Sequence, residues 1–173
     1  RVAKKFGIAW KLLAVCAAFA LPIVVMFVLM TQAKLAEIEF TSKELQGDAF
    51  QRPLEDVLQH VSAHERLSAR LLRGQTDSGL EQRIHGEERE VAAALNRLQA
   101  ADTAHGRALQ FTPEGLGLRK RGAFTAHQLG LKWQALLTRL PGLAKHERAE
   151  AYADIVTHLR TMITHAGDAS NLI

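Results

Sequence analysis

Between Leu12 and Met30 the chain runs for nineteen residues without a charged or strongly polar side chain. At about 1.5 Å rise per residue, a helix of that length spans about 29 Å, close to the hydrocarbon thickness of a bilayer. The pattern predicts a transmembrane helix over residues 12–31. Pro22 is expected to kink it rather than end it, because bilayer helices tolerate proline. A cleaved secretory signal is the competing reading, with Thr31-Gln32-Ala33 as a tolerable cleavage site. The apolar region of such signals ordinarily runs only about 7–15 residues, so an uncleaved anchor fits better.

Beyond residue 31 the apolar positions recur with helical spacing, and no alternating stretch bounded by turn dipeptides suggests a strand. The first segment, 31 to about 73, continues the anchor outward and aligns Leu54, Val57, Val61, His64, Ser68 and Leu71, with Leu58 and Leu72 widening the stripe. Residues 74–79 form a turn by composition, and Gly74 suits a helix C′ position. A second helix, about 80–110, places Leu80, Ile84, Val91, Leu95, Leu98 and Leu109 on one face. The Thr112-Pro113 stretch breaks it. A third, about 118–140, carries Leu129, Trp133, Leu136 and Leu140, and Pro141-Gly142 ends it. A fourth, from about 144 to 167 or beyond, aligns Tyr152, Ile155, Leu159, Met162 and Ile163.

The fold class expected is therefore all-α: one N-terminal transmembrane helix continuing into an antiparallel four-helix bundle. The expected division is 1–11 basic and cytoplasmic, 12–31 transmembrane, and 32–173 an extracytoplasmic helical domain. If continuous, the first helix reaches about 60 Å from the bilayer. The chain stops at Ile173 within an apolar pattern and is expected to be the N-terminal part of something larger.

Charge fixes the topology. Arg1, Lys4, Lys5 and Lys11 precede the apolar run and account for the whole net charge of +4. The positive-inside rule then puts the N-terminus in the cytoplasm and the rest beyond the membrane. The remaining 18 Lys and Arg balance 18 Asp and Glu, so the external part has no basic field and nucleic-acid binding is not expected. The lone Cys16 lies in the apolar run, so no disulfide framework holds the external domain.

Candidate chemistry is confined to a few polar residues. His60 and His64 stand at i, i+4, a spacing that can place two imidazoles on one metal, yet the zincin glutamate does not follow His60. A helical wheel puts His64 and Ser68 inside the apolar stripe, and His105 falls near the apolar face of the second helix. Satisfied core groups, a polar layer that receives a small ligand, and a metal site are the three readings, in that order. The candidate ligand-binding residues are thus His64, Ser68 and His105, with no metal and no cofactor expected. His158 and His165 flank the apolar face of the last helix, where solvent or a helix interface is expected. Arg119-Lys120-Arg121 reads as a solvated basic turn or an anion or headgroup contact. Arg66, Arg70 and Arg73 form an outer stripe, either wet or part of a dimer surface. No nucleophile elbow, phosphate loop or carboxylate pair is present, so no enzyme is expected.

The stretch 38–47, then Phe50, Pro53-Leu54, Leu58 and His64 through Leu67-Ser68 to Gly74, resembles the membrane-proximal sensor region of bacterial methyl-accepting chemotaxis receptors. Sensor kinases and diguanylate cyclases share such input domains. The tail Gly167-Asp-Ala-Ser-Asn-Leu-Ile173 is similar to a Gly-Asp-Thr-Ser-Asn-Leu segment of the same region. The His64 to Ser68 stretch is also similar to nitrate- and nitrite-sensing helical domains, although Glu65-Arg66 stands where those tend to have Arg-Gly.

The resemblance implies the periplasmic ligand-sensing and signal-transmitting part of an inner-membrane chemotaxis receptor. It would be a homodimer in contact with membrane lipid, taking a small solute or anion. A kinase or cyclase input domain, or a membrane-tethered helical scaffold without a ligand, is the alternative.

Overall fold

A computed structural model of the protein describes residues 8–75 and 77–170. The basic residues Arg1, Lys4 and Lys5, Thr76 of the expected turn, and the closing Asn171-Leu172-Ile173 lie outside the described residues. The chain divides into two compact units, Arg1–Ser42 and Lys43–Ile173. Helix α1 (Ile8–Leu72) runs through Pro22 and Pro53 without an interruption in its helical assignment. In the first unit its apolar side chains, Phe19, Ile23 and Phe27 among them, are exposed. By length and composition this helix can cross a membrane.

Within the second unit, the C-terminal part of α1 is followed by α2 (Leu80–His105), α3 (Pro113–Leu118), α4 (Ala126–Arg139) and α5 (Lys145–Ser170). Among the described residues there is no strand. One core joins Phe50, Leu54, Val57 and Val61 of α1 to Val91, Ala94 and Leu98 of α2. Leu129, Trp133 and Leu136 of α4 complete it with Tyr152, Ile155, Leu159 and Met162 of α5.

Cross-helix pairs set the directions. Asp56 meets Arg97 at 3.0 Å and His60 meets Glu87 at 2.7 Å, so α1 and α2 run antiparallel here. Lys132 to Asp154 at 2.9 Å and His158 to Thr125 at 3.0 Å give the same relation for α4 and α5. These positions match the helical periods read from the sequence, with one exception. Leu72, expected to widen the α1 stripe, is exposed in the last turn.

Three helix ends share one hydrogen-bond pattern. Gln75 N donates to Arg70 O and Gly74 N to Leu71 O, with Gly74 at φ +70°. Phe111 N to Gly106 O and Gln110 N to Arg107 O repeat it, with Gln110 at φ +58°. Arg121 N to Leu116 O and Lys120 N to Gly117 O repeat it again, with Lys120 at φ +55°. Each is a 6→1 and 5→2 pair closing a helical turn on a left-handed residue.

The third helix therefore begins at Ala126, not near Leu118. The break at Thr112-Pro113 is itself a helix start. Thr112 Oγ1 accepts from Gly115 N at 3.2 Å, and Pro113 occupies the first turn, where a missing N–H costs nothing. Lys120 ends this short helix, and Thr125 starts α4 by accepting from Gln128 N at 3.2 Å. At α5, Glu147 accepts from Ala144 N at 2.7 Å, half of a capping box.

Candidate functional site

His64 is fully buried in the middle of this core. Its Nδ1 lies 2.7 Å from the Tyr152 hydroxyl, and its ring stands edge-on to Trp133 with centroids 5.1 Å apart. The other ring nitrogen, Nε2, faces Glu88 Oε1 at 3.5 Å, too long for a hydrogen bond. A carboxylate can only accept, so the network assigns the ring proton to Nε2 and makes Nδ1 the acceptor of the Tyr152 O–H. Glu88 is half-exposed and is held on its outer side by His85 at 2.8 Å.

Ser68 stands one turn further along α1. Its Oγ is buried without a well-formed hydrogen bond, yet it is close enough to the Tyr152 oxygen to act on it. Sequence order brings these groups together for a simple reason: His64 and Ser68 are four apart and share a helical face, and α5 lays Tyr152 against it. The result is a line of polar groups from exposed His85 through Glu88 and His64 to Tyr152 and Ser68.

Electrostatics follow from burial. Burial pushes the His64 imidazole below its ordinary value, with Glu88 pulling the other way. Burial also pushes the Tyr152 hydroxyl up to about 12, opposed by Ser68. Both groups are therefore neutral near pH 7. The layer can orient a small polar solute or a water through Ser68 Oγ and the unbonded edge of His64. Neither group is placed for nucleophilic attack, because Ser68 has no base within hydrogen-bond reach.

Of the residues singled out from the sequence, His64 and Ser68 come together and His105 does not join them. His105 is half-buried in the last turn of α2, seventeen residues beyond Glu88, or about 25 Å along the helix. His60 uses its ring on Glu87, whereas His64 bonds Tyr152. Among the described residues no group of three or more His, Cys, Asp or Glu side chains is arranged to hold a metal. Tyr152, Trp133 and Glu88 are the members that sequence reasoning missed. The first two looked like ordinary apolar-stripe residues. A tyrosine in a stripe is the available signal, since a buried hydroxyl needs a partner.

His158 and His165, expected at solvent or a helix interface, are both buried. The basic turn is not free either: Arg121 meets Asp168 at 2.8 Å and Arg119 approaches it at 3.6 Å.

Beside the polar layer, α1 and α2 enclose an open groove of about 720 Å³ lined by Ala63, Arg66, Leu67, Gly86, Glu87 and Arg89 among others. Arg70 of the expected stripe is committed to Asp77 at 3.2 Å, which also holds Arg83. Arg66 and Arg89 line the groove without an ion pair among the described residues. No family model, curated protein or solved structure matches this chain.

Proposed function

We propose that the protein is the ligand-sensing and signal-transmitting portion of a bacterial transmembrane chemotaxis receptor. In this reading α1 is anchored in the cytoplasmic membrane with its N-terminus inside, and the second unit is a periplasmic antiparallel four-helix bundle. The observation that carries it is the pair of buried polar atoms, Ser68 Oγ and His64 Nε2, left without hydrogen bonds inside the core on the helix that also holds the membrane-length apolar run. Leaving such groups unbonded costs about 1–3 kcal/mol each, a cost that a bound polar solute or water removes. The groove with Arg66 and Arg89 offers an adjoining surface suited to an anion.

A receptor needs a ligand that favours one of two helix packings. A solute seated between α1 and α5 touches both helices that meet at His64 and Tyr152, and small helix shifts are a known way to carry such a bias. The homodimer gives each protomer a neighbour against which to shift.

Thermal unfolding of the full chain in lipid nanodiscs, against a panel of small organic and inorganic solutes, tests the reading. A saturable rise in Tm with one solute, reduced in Ser68→Ala, supports it, because ligand binding to the native state raises its stability. No response across the panel, together with a stable protein partner recovered from membranes, favours the tethered scaffold instead.

A further inference from the structure

The polar layer leaves a second set of buried histidines unused. On α5, His158 and His165 are buried and each reaches across to the backbone of the 106–125 connector. His158 Nε2 lies 3.0 Å from Thr125 O, and His165 Nε2 lies 3.1 Å from Gln110 O. A carbonyl only accepts, so both rings carry their proton on Nε2. The aromatic rings of Phe124 and Phe111 stand edge-on against them at 5.1 and 4.6 Å. Phe111 also stacks on Phe50 of α1 at 4.4 Å.

The remaining nitrogens decide what a second proton does. His158 Nδ1 is buried with no partner, so an added N–H there has nothing to bond. The charged groups that act on His158 among the described residues are Lys132 of α4 and Asp154 of α5, and from the connector Phe124 and Thr125 meet it. His165 Nδ1 faces the Arg121 guanidinium at 3.5 Å, with Arg119 also near. Among the described residues Asp168 of α5 is the anion acting there, and it is already bound to Arg121. From α1 the uncharged Phe50 stands on this side, stacked on Phe111 of the connector, and the connector itself adds the uncharged Gln110.

The connector is also held in an unfavourable backbone. Gln110, whose carbonyl His165 grips, sits at φ +58°, where a residue with a Cβ is strained. A segment of this kind stays only where its surroundings hold it.

We propose that the second unit senses acid: neutral His158 and His165 latch the 106–125 connector onto α5, and their protonation releases it. The latch uses other side chains than the solute site: His158 and His165 stand six and thirteen residues, about 9 and about 20 Å, along α5 from Tyr152. It therefore stands whether or not the receptor reading does. Burial pushes both imidazoles below the ordinary histidine value, in keeping with rings that charge only on leaving their places.

Hydrogen exchange of the connector amides in the full chain in nanodiscs, followed from about pH 7.5 to about pH 5 and corrected for intrinsic exchange, reads the latch directly. Below about pH 6.5, protection should fall by up to about tenfold per pH unit for each histidine that charges on release. In His158→Gln/His165→Gln the amide keeps a donor at the same place without titrating, so the connector should hold its protection through the same range. Equal losses in both proteins, or a wild-type connector that stays protected, overturns the proposal. Should the double variant not fold, NMR titration of the wild-type imidazoles decides: normal titration of both rings with unmoved connector amides is equally fatal.

Discussion

The hydroxyl of Tyr152 and Nδ1 of His64 lie 2.7 Å apart across the core, although 88 residues separate them in the chain. Each satisfies the other inside the buried core. Removing both should therefore cost less than the sum of removing each alone. Tyr152→Phe strands the His64 acceptor and should lower stability by about 1–2 kcal/mol. His64→Leu leaves the hydroxyl to Ser68 and should cost less, further offset because the Nε2 to Glu88 contact goes with it. The double variant should fall short of the sum by about 1 kcal/mol, read by denaturant unfolding of all four proteins. Strict additivity would mean the 2.7 Å contact contributes nothing.

How much of this was readable beforehand differs from residue to residue. The stripe containing His64 and Ser68 was legible because burial on a helix has a period, and Leu54, Val57 and Val61 fix its phase. Gly74 was legible because a left-handed C′ position favours glycine. The matching ends at Gln110 and Lys120 were not, since neither residue type announces positive φ, and the start of α4 was misplaced by that omission. His158 and His165 were legible only as far as solvent or a helix interface. Their partners are backbone carbonyls of a connector, and carbonyls leave no mark in a sequence. His105 shares the α2 pattern, but periodicity says which face a residue takes, not how far along the axis it stands.

Tyr152 is the only tyrosine in the chain, so its ionisation can be followed by phenolate absorbance without interference. Its hydroxyl is pushed up to about 12 by burial. The folded value thus lies above the unfolded one, near 10, and the neutral form is the one the fold holds. Stability from this group is complete below about pH 10 and is lost as pH rises through about 12. The absorbance midpoint should sit near 12 in the folded protein and near 10 in denaturant. A folded-state midpoint near 10 would contradict the buried position.

Gly115 packs against the left-handed residue that His165 grips. A Cβ built there would collide with the Gln110 carbonyl oxygen and crowd its Cβ. The obstruction is largely backbone, which cannot turn aside as a side chain can. Gly115→Ala should cost about 1–3 kcal/mol, in line with overpacking elsewhere. It should also shift the connector amides selectively, leaving those of α4 near Trp133 in place, as two-dimensional NMR would show. A neutral substitution would mean the 110–115 corner is looser than its hydrogen bonds indicate.

The three repeated helix ends differ in the residue at the left-handed position. Gly74 carries no penalty there, whereas Gln110 and Lys120 do. Lys120 is exposed and makes no side-chain hydrogen bond or ion pair among the described residues, so replacing it changes little except the backbone. Lys120→Gly should stabilise the protein by about 0.5–1 kcal/mol, the relief of left-handed strain less the added freedom of the unfolded chain. Gln110→Gly gains the same backbone relief, but it also loosens the latch by removing a Cβ beside Gly115. Its gain should be smaller. Gly74→Ala, run as the converse, should cost about 1 kcal/mol. Urea midpoints at unchanged slope give the ranking, and a Lys120→Gly variant less stable than wild type would mean the lysine side chain holds something its exposure conceals.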